Sequence, residues 1–264
     1  MAKKQPFSIS PTPSYLYVTP KLKACLHKIR YTVDNKQGLT AVLGDVGMGK
    51  STILRYLFAE YASKESECAT NIITTPSYTS EFAFLKGVCE CFQVPPKRSQ
   101  LDQERVLREW LVEQYGLDKL VVIFIDEAQR LTNKMLELVR TLLNFETDTE
   151  KLIQIVLAGQ LELRDRLLQD DNNKAIRRRL FAPSLLDPLS FSDMVAMIAF
   201  RCEQSEIHNP FTEAATKIVY EASNGVPGDI LRICAISYDL MKQMETDTVT
   251  PEIVAVAEKE ARLQ

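Results

Sequence analysis

Histidine is scarce in this chain: His27 and His208 are the only two among 264 residues. That leaves little from which to build a zinc centre. The six cysteines do not fill the gap, because they are scattered without metal-type pairs. Cys89 and Cys91 stand two apart in a helical stretch, so their side chains diverge, and reduced cytosolic thiols are the expectation. Surplus charge is missing too: 32 basic residues stand against 35 acidic ones, a net −3. Nothing in that balance pulls the molecule as a whole towards nucleic acid or acidic membrane, so any such contact needs a local patch. No apolar run approaches the roughly 20 residues of a membrane span. Met1-Ala2-Lys3-Lys4-Gln5-Pro6 lacks the apolar core of a signal peptide. A cytoplasmic protein without membrane insertion is expected, long enough for one core and a small accessory domain.

What is present is concentrated in Gly44-Asp45-Val46-Gly47-Met48-Gly49-Lys50-Ser51-Thr52. Its first eight residues match the G-x-x-x-x-G-K-[ST] phosphate loop at every required position. Leu39–Leu43 leads in as a strand, and an apolar helical pattern leaves from Thr52, which is the context the motif needs. Glycines let backbone N–H groups turn around an anion, and the helix start adds positive partial charge. Lys50 is placed to reach the β- and γ-phosphates, and the Ser51 hydroxyl to ligate Mg²⁺. The motif implies binding of a nucleoside triphosphate, with ATP and Mg²⁺ as ligands.

The rest of the pattern supplies a frame for that loop. Leu39–Leu43, Asn71–Thr74, Leu120–Ile125 and Leu152–Ala158 read as strands, with Ser184–Leu186 a shorter fifth. Leu120–Ile125 has no polar alternation, as expected of a parallel strand covered on both faces. Helical patterns fill the gaps at Lys21–Val33, Ser51–Ser63, Ser80–Phe92, Asp102–Tyr115 and Asn133–Phe145. The alternation predicts an α/β fold with a parallel five-stranded sheet. After Pro188 only helices are expected. They are announced by Ser190-Phe191-Ser192-Asp193, by Thr212 capping a helix to Ser223, by Gly228–Met244, and by Thr250-Pro251. The predicted domains are a nucleotide-binding core with an irregular leading arm over 1–188 and a small all-helical lid over 189–264.

Chemistry-bearing residues fall at strand ends. Asp126-Glu127 follows the third strand: Asp126 would hold Mg²⁺ through water and Glu127 would orient the attacking water. Gln160 follows the next strand, where it either touches the γ-phosphate and that water or only caps the following helix. Arg177-Arg178-Arg179 is either a solvated surface or the source of an arginine finger acting on a neighbouring subunit, Arg179 first and Arg177 second. Arg232 either folds back over the phosphates in cis or pairs with Glu221 or Asp229. Tyr15, Tyr17 and Tyr31 offer a wall for the base, or plain packing.

These motifs together resemble AAA+ ATPases of the ExeA/GspA type, related to the TnsC/TniB transposition ATPases. The marks are Pro6-Phe7, Pro11-Thr12-Pro13, Tyr15-Leu16-Tyr17, Gly44–Thr52, Ile125-Asp126-Glu127-Ala128-Gln129, Gly159-Gln160, Arg177–Arg179 and Gly225-Val226-Pro227-Gly228. The resemblance spans nearly the whole chain and implies an AAA+ P-loop core with a helical lid. It also implies nucleotide bound between adjacent subunits of a ring or filament. Leu161-Glu162-Leu163 stands where family members commonly carry Pro-Glu-Leu. Secretion-type members continue into a membrane span and a cell-wall-binding domain, whereas this sequence ends at Gln264.

On that ground the first expectation is an ATP-hydrolysing transposition regulator that assembles on duplex DNA without sequence preference and recruits a transposase. Lys97, Arg98, Lys134 and Arg140 are the basic residues offered for DNA. The alternative is an ATPase for assembly of an envelope secretion system, acting on protein partners.

Overall fold

The computed structural model describes residues 5–10 and 12–262. Met1–Lys4, Pro11 of the leading arm and the terminal Leu263–Gln264 lie outside the described residues. The chain divides into two compact units: Pro20–Asp45 with Lys50–Leu186, and Met1–Thr19 with Val46–Gly49 and Asp187–Gln264.

The first unit is built on five parallel strands: β1 Leu39–Leu43, β2 Cys68–Ile73, β3 Leu120–Ile125, β4 Gln154–Gly159 and β5 Ser184–Leu185. Their order is β2-β3-β4-β1-β5. Side chains alternate across the sheet and both faces are covered, which is why β3 carries no polar residue. Leu39, Ala41, Leu43, Val121, Ile123, Ile125, Ile155 and Leu157 belong to one buried cluster. With them pack α3 (Glu81–Cys91), α4 (Gln100–Gly116), α5 (Asn133–Leu142) and α6 (Leu161–Leu168), through residues such as Phe84, Leu107, Val139 and Leu163. The intervening residues Val42, Val122, Phe124, Val156 and Ala158 meet α1 (Pro20–Asp34) and α2 (Lys50–Ala62) through Leu26, Ile29, Leu54 and Leu57. A four-residue helix, α7 (Lys174–Arg177), follows α6. Ser80, Ser99 and Thr132 cap α3, α4 and α5 by accepting the N–H of Ala83, Asp102 and Met135, each stabilising its helix by about 1 kcal/mol.

Two strand starts differ from the sequence reading because pairing, and not apolar character, defines them. β2 starts at Cys68 and ends at Ile73, not Asn71 to Thr74. It is an edge strand, and Cys68-Ala69-Thr70 carries no apolar run; pairing of Cys68 with Leu120 and of Thr70 with Val122 makes it a strand. β4 begins at Gln154, because Leu152 and Ile153 are buried but precede the pairing with β1 and β3.

The second unit is helical: α8 (Phe191–Gln204), α9 (Glu213–Ser223), α10 (Pro227–Gln243) and α11 (Pro251–Ala261). Ser190 and Thr212 cap α8 and α9, α9 stops at a left-handed Asn224, and Pro227 and Pro251 sit in the first turns of α10 and α11. The leading arm packs here. Phe7 is fully buried, edge-on to Phe211 at 5.5 Å and Tyr238 at 5.8 Å. Buried Arg201 donates to the carbonyls of Pro6 (3.2 Å) and Ser8 (3.1 Å) and lies 5.4 Å from the centre of the Tyr15 ring. Among the described residues no helix is long and apolar enough to cross a membrane.

Candidate active site

The loop between β1 and α2 depends on two left-handed glycines. Gly47 has φ +79° and Gly49 φ +83°. A Cβ on Gly49 would meet nothing within 4 Å, so its backbone conformation, not crowding by the protein, calls for glycine, and the space beside it is open. Gly47 is crowded: a Cβ there would come 2.9 Å from Val226 Cγ1. The Gly228 N–H donates to the Gly47 carbonyl at 2.8 Å, and a Cβ on Gly228 would lie 2.9 Å from Gly47 Cα. The small residues of Gly225-Val226-Pro227-Gly228 thus let α10 begin against the loop backbone.

α2 opens at Lys50, whose side chain is buried although charged. Its Nζ donates to the carbonyls of Gly44 (3.0 Å) and Asp45 (2.7 Å). Burial pulls the ammonium below its ordinary pKa, and the carboxylates of Glu127, Asp126, Asp45 and Glu162 oppose that shift. Ser51, next on the helix, lies close enough to Asp126 for its hydroxyl to favour the ionised carboxylate. Asp126 is also buried; it accepts the Glu127 N–H at 2.9 Å, and its own N–H donates to Ile73 at 2.8 Å. Burial raises its carboxyl pKa, while Ser51, the Glu127 N–H and Lys50 pull it back. A lysine, a hydroxyl and a carboxylate from two elements therefore meet beside a loop of left-handed glycines.

Glu127 leaves the strand in the left-handed region, at φ +50° and ψ +35°. Its half-buried carboxylate accepts Gln129 Nε2 at 2.6 Å. Gln160 is the N-cap residue of α6, but its side chain makes no capping bond among the described residues. Its backbone N–H donates to Gln129 Oε1 at 3.2 Å. Gln129 was a mark of resemblance without a role in the sequence. Only the turn at Glu127 brings it to the end of β4.

The arginines are placed differently from one another. Arg177 donates to the Leu168 carbonyl and stands 3.6 Å from Asp171. Arg179 is half-buried and donates to Asn144 Oδ1 at 3.0 Å. The Arg178 guanidinium is exposed. Arg232 is half-buried on α10, one turn beyond Gly228, and pairs with neither Glu221 nor Asp229 among the described residues. Tyr15 hydrogen-bonds Ser205 and Tyr17 packs on Phe200, while Tyr31 stacks on Phe181. Of the basic residues offered for DNA, Lys97, Arg98 and Lys134 are exposed, and Arg140 is tied to Glu137 at 2.6 Å.

These groups fit a magnesium nucleotide. The open side of Gly49 and the start of α2 suit phosphate oxygens. The hydroxyl–carboxylate pair of Ser51 and Asp126 is a hard oxygen donor set suited to Mg²⁺.

Comparison with known proteins identifies the family and the fold. The model of a family described as AAA domain matches residues 33–167. General secretion pathway protein A of Aeromonas hydrophila is 35% identical over 235 residues, covering 87% of this chain and 42% of that protein. The chain thus spans less than half the length of that curated relative. Among solved structures, the ORC2 protein of Aeropyrum pernix in its ADPNP–ADP complexes superposes with a TM-score of 0.67 at 15% identity, covering 98% of this chain and 72% of that one. The RuvB Holliday junction branch migration motor of Thermotoga maritima gives 0.61 at 16% identity, over 93% and 72%. At such identities these structures speak for the fold alone.

Proposed function

The chain belongs to the AAA domain family as an AAA+ ATPase of the type of general secretion pathway protein A, and on that footing we propose that it hydrolyses ATP with the groups around Gly44–Thr52. The observation that carries this reading is a buried Lys50 held on the carbonyls of Gly44 and Asp45, in a loop with left-handed Gly47 and Gly49, with Asp126 also buried and Glu127 next to it at the end of β3. Backbone N–H groups of the loop hold the phosphates, and Lys50 neutralises the β- and γ-oxygens. Ser51 and Asp126 hold Mg²⁺, which when bound supplies positive charge to the phosphate oxygens. Glu127 takes up and orients the attacking water. Gln160 touches the γ-phosphate and that water. Arg232 covers the phosphates in cis, and Arg179, with Arg177 second, reaches the γ-phosphate of a neighbouring subunit in a ring or filament.

For the cellular role we place the secretion-type reading first: a cytoplasmic ATPase whose cycle drives assembly of an envelope system through protein partners. The 35% identity to general secretion pathway protein A supports it.

The test uses the Glu127→Gln protein, which should bind ATP and remain assembled. Imaging and sedimentation with and without non-specific duplex DNA separate the readings. Nucleotide-dependent rings or filaments that ignore DNA at low to moderate salt support the protein-directed role. Assemblies that form only with both ATP and DNA return the transposition reading to first place.

A further inference from the structure

Gln129 is half-buried in the short turn Ala128–Arg130, and both ends of its side-chain amide are engaged. Nε2 donates to Glu127 Oε2 at 2.6 Å, and Oε1 accepts the Gln160 N–H at 3.2 Å. A Cβ built on Gly159 would lie 3.3 Å from the same Oε1, so the amide sits directly on the carboxyl end of β4. The backbone of Gln129 is fixed as well. Arg166 Nη1 donates to its carbonyl at 3.0 Å, and Arg166 Nη2 donates to Asn133 Oδ1 at 2.8 Å. One residue thus ties the acid at the end of β3 to the strand end that carries Gln160, and an arginine from α6 holds that residue in place.

The polarity of this link is specific. A carboxylate accepts and a backbone N–H donates, so the bridging side chain must donate at one end and accept at the other. Glutamine does both across its length; glutamate cannot donate, and alanine does neither. We propose that Gln129 is a positioning residue for ATP hydrolysis, holding the Glu127 carboxylate in register with the Gly159–Gln160 strand end. The proposal rests on the reading of Glu127 as the group that orients water. Glu127 has three side-chain torsions, and its hydrogen bond to Gln129 restricts them to the orientation that faces β4. A general base that samples other orientations loses part of the 10²–10⁴-fold such groups typically supply.

The test compares Gln129→Ala, Gln129→Glu, Glu127→Gln and the double variant Gln129→Ala/Glu127→Gln, using turnover and ATP affinity with a fluorescent nucleotide. In Gln129→Ala, kcat should fall about tenfold or more, with ATP affinity and KM within about twofold. Gln129→Glu should fall further, because its carboxylate still accepts from Gln160 but repels Glu127. Added to Glu127→Gln, the alanine change should cost nothing more in turnover, since its target is already gone. Wild-type kcat in both Gln129 variants, with Glu127→Gln inactive, overturns the proposal and leaves the ATPase reading intact. Wild-type turnover in Glu127→Gln overturns the reading of Glu127 itself. A parallel loss of ATP affinity in Gln129→Ala reveals a structural prop instead of a positioning residue, and a rise in kcat reveals a restraint; either result overturns the proposal.

Discussion

Replacing Gly228 by alanine would put a methyl group where the phosphate loop already lies. Built on the existing backbone, the new Cβ stands 2.9 Å from Gly47 Cα and 3.1 Å from Gly47 O. Both are backbone atoms, so no side-chain rotation relieves the overlap. Gly228 is the second residue of α10, where alanine by itself favours the helix by up to about 1 kcal/mol. Overpacking of this kind costs about 1–3 kcal/mol. Taking that preference as about 1 kcal/mol, it offsets only part of the cost, and the net loss of stability is about 0–2 kcal/mol. The overlap is relieved by a shift of Gly47, which carries φ +79° and receives the 2.8 Å hydrogen bond from Gly228. If about 1.4 kcal/mol of strain is expressed in the loop, ATP affinity falls about tenfold. Equilibrium titration with a fluorescent ATP analogue reads that loss, and thermal unfolding should show a shift of no more than a few degrees. Wild-type affinity in Gly228→Ala would refute the account of how α10 and the loop backbone fit.

Lys50→Ala should abolish ATP binding or nearly so, because it removes a buried ammonium placed on the loop carbonyls; retained affinity sinks the phosphate-loop assignment. Arg179→Ala should lower turnover by about 10³-fold or more with ATP affinity little changed. Normal activity there moves the trans role to Arg177 or removes it. Arg201→Met leaves the carbonyls of Pro6 and Ser8 unsatisfied and should cost about 1–2 kcal/mol at neutral pH by thermal unfolding. Burial holds the Arg201 guanidinium down at about 10, well below its ordinary value. Between those values the folded chain binds fewer protons than the unfolded one, so wild-type stability should rise relative to Arg201→Met as pH passes upward through 10. A wild-type advantage that shrinks over that range contradicts the assignment.

Legibility in the sequence followed locality. The phosphate loop is a run of consecutive residues whose chemistry needs no partner from elsewhere, and β3 is apolar throughout because both its faces are covered. The start of β2 was hidden, since an edge strand made of Cys68, Ala69 and Thr70 carries no apolar run and is defined by its neighbour. Gly225–Gly228 was visible as a mark but not as a mechanism, because its crowding partner, Gly47, lies far upstream. The anchoring of the leading arm was equally invisible: Arg201 reaches the Pro6 carbonyl across 195 positions. The role of Gln129 was hidden for a different reason. Its partner Gln160 is 31 positions away, and they meet because Glu127 turns through the left-handed region, which no residue type at that position announces.

Single-turnover hydrolysis of Mg·ATP by the wild type and by Glu127→Gln tests the central claim most directly. The account predicts that both proteins bind ATP within a few-fold of each other and that cleavage falls by about 100-fold or more in the variant. Equal cleavage rates would contradict it and take Glu127, with the network built around it, out of the chemistry.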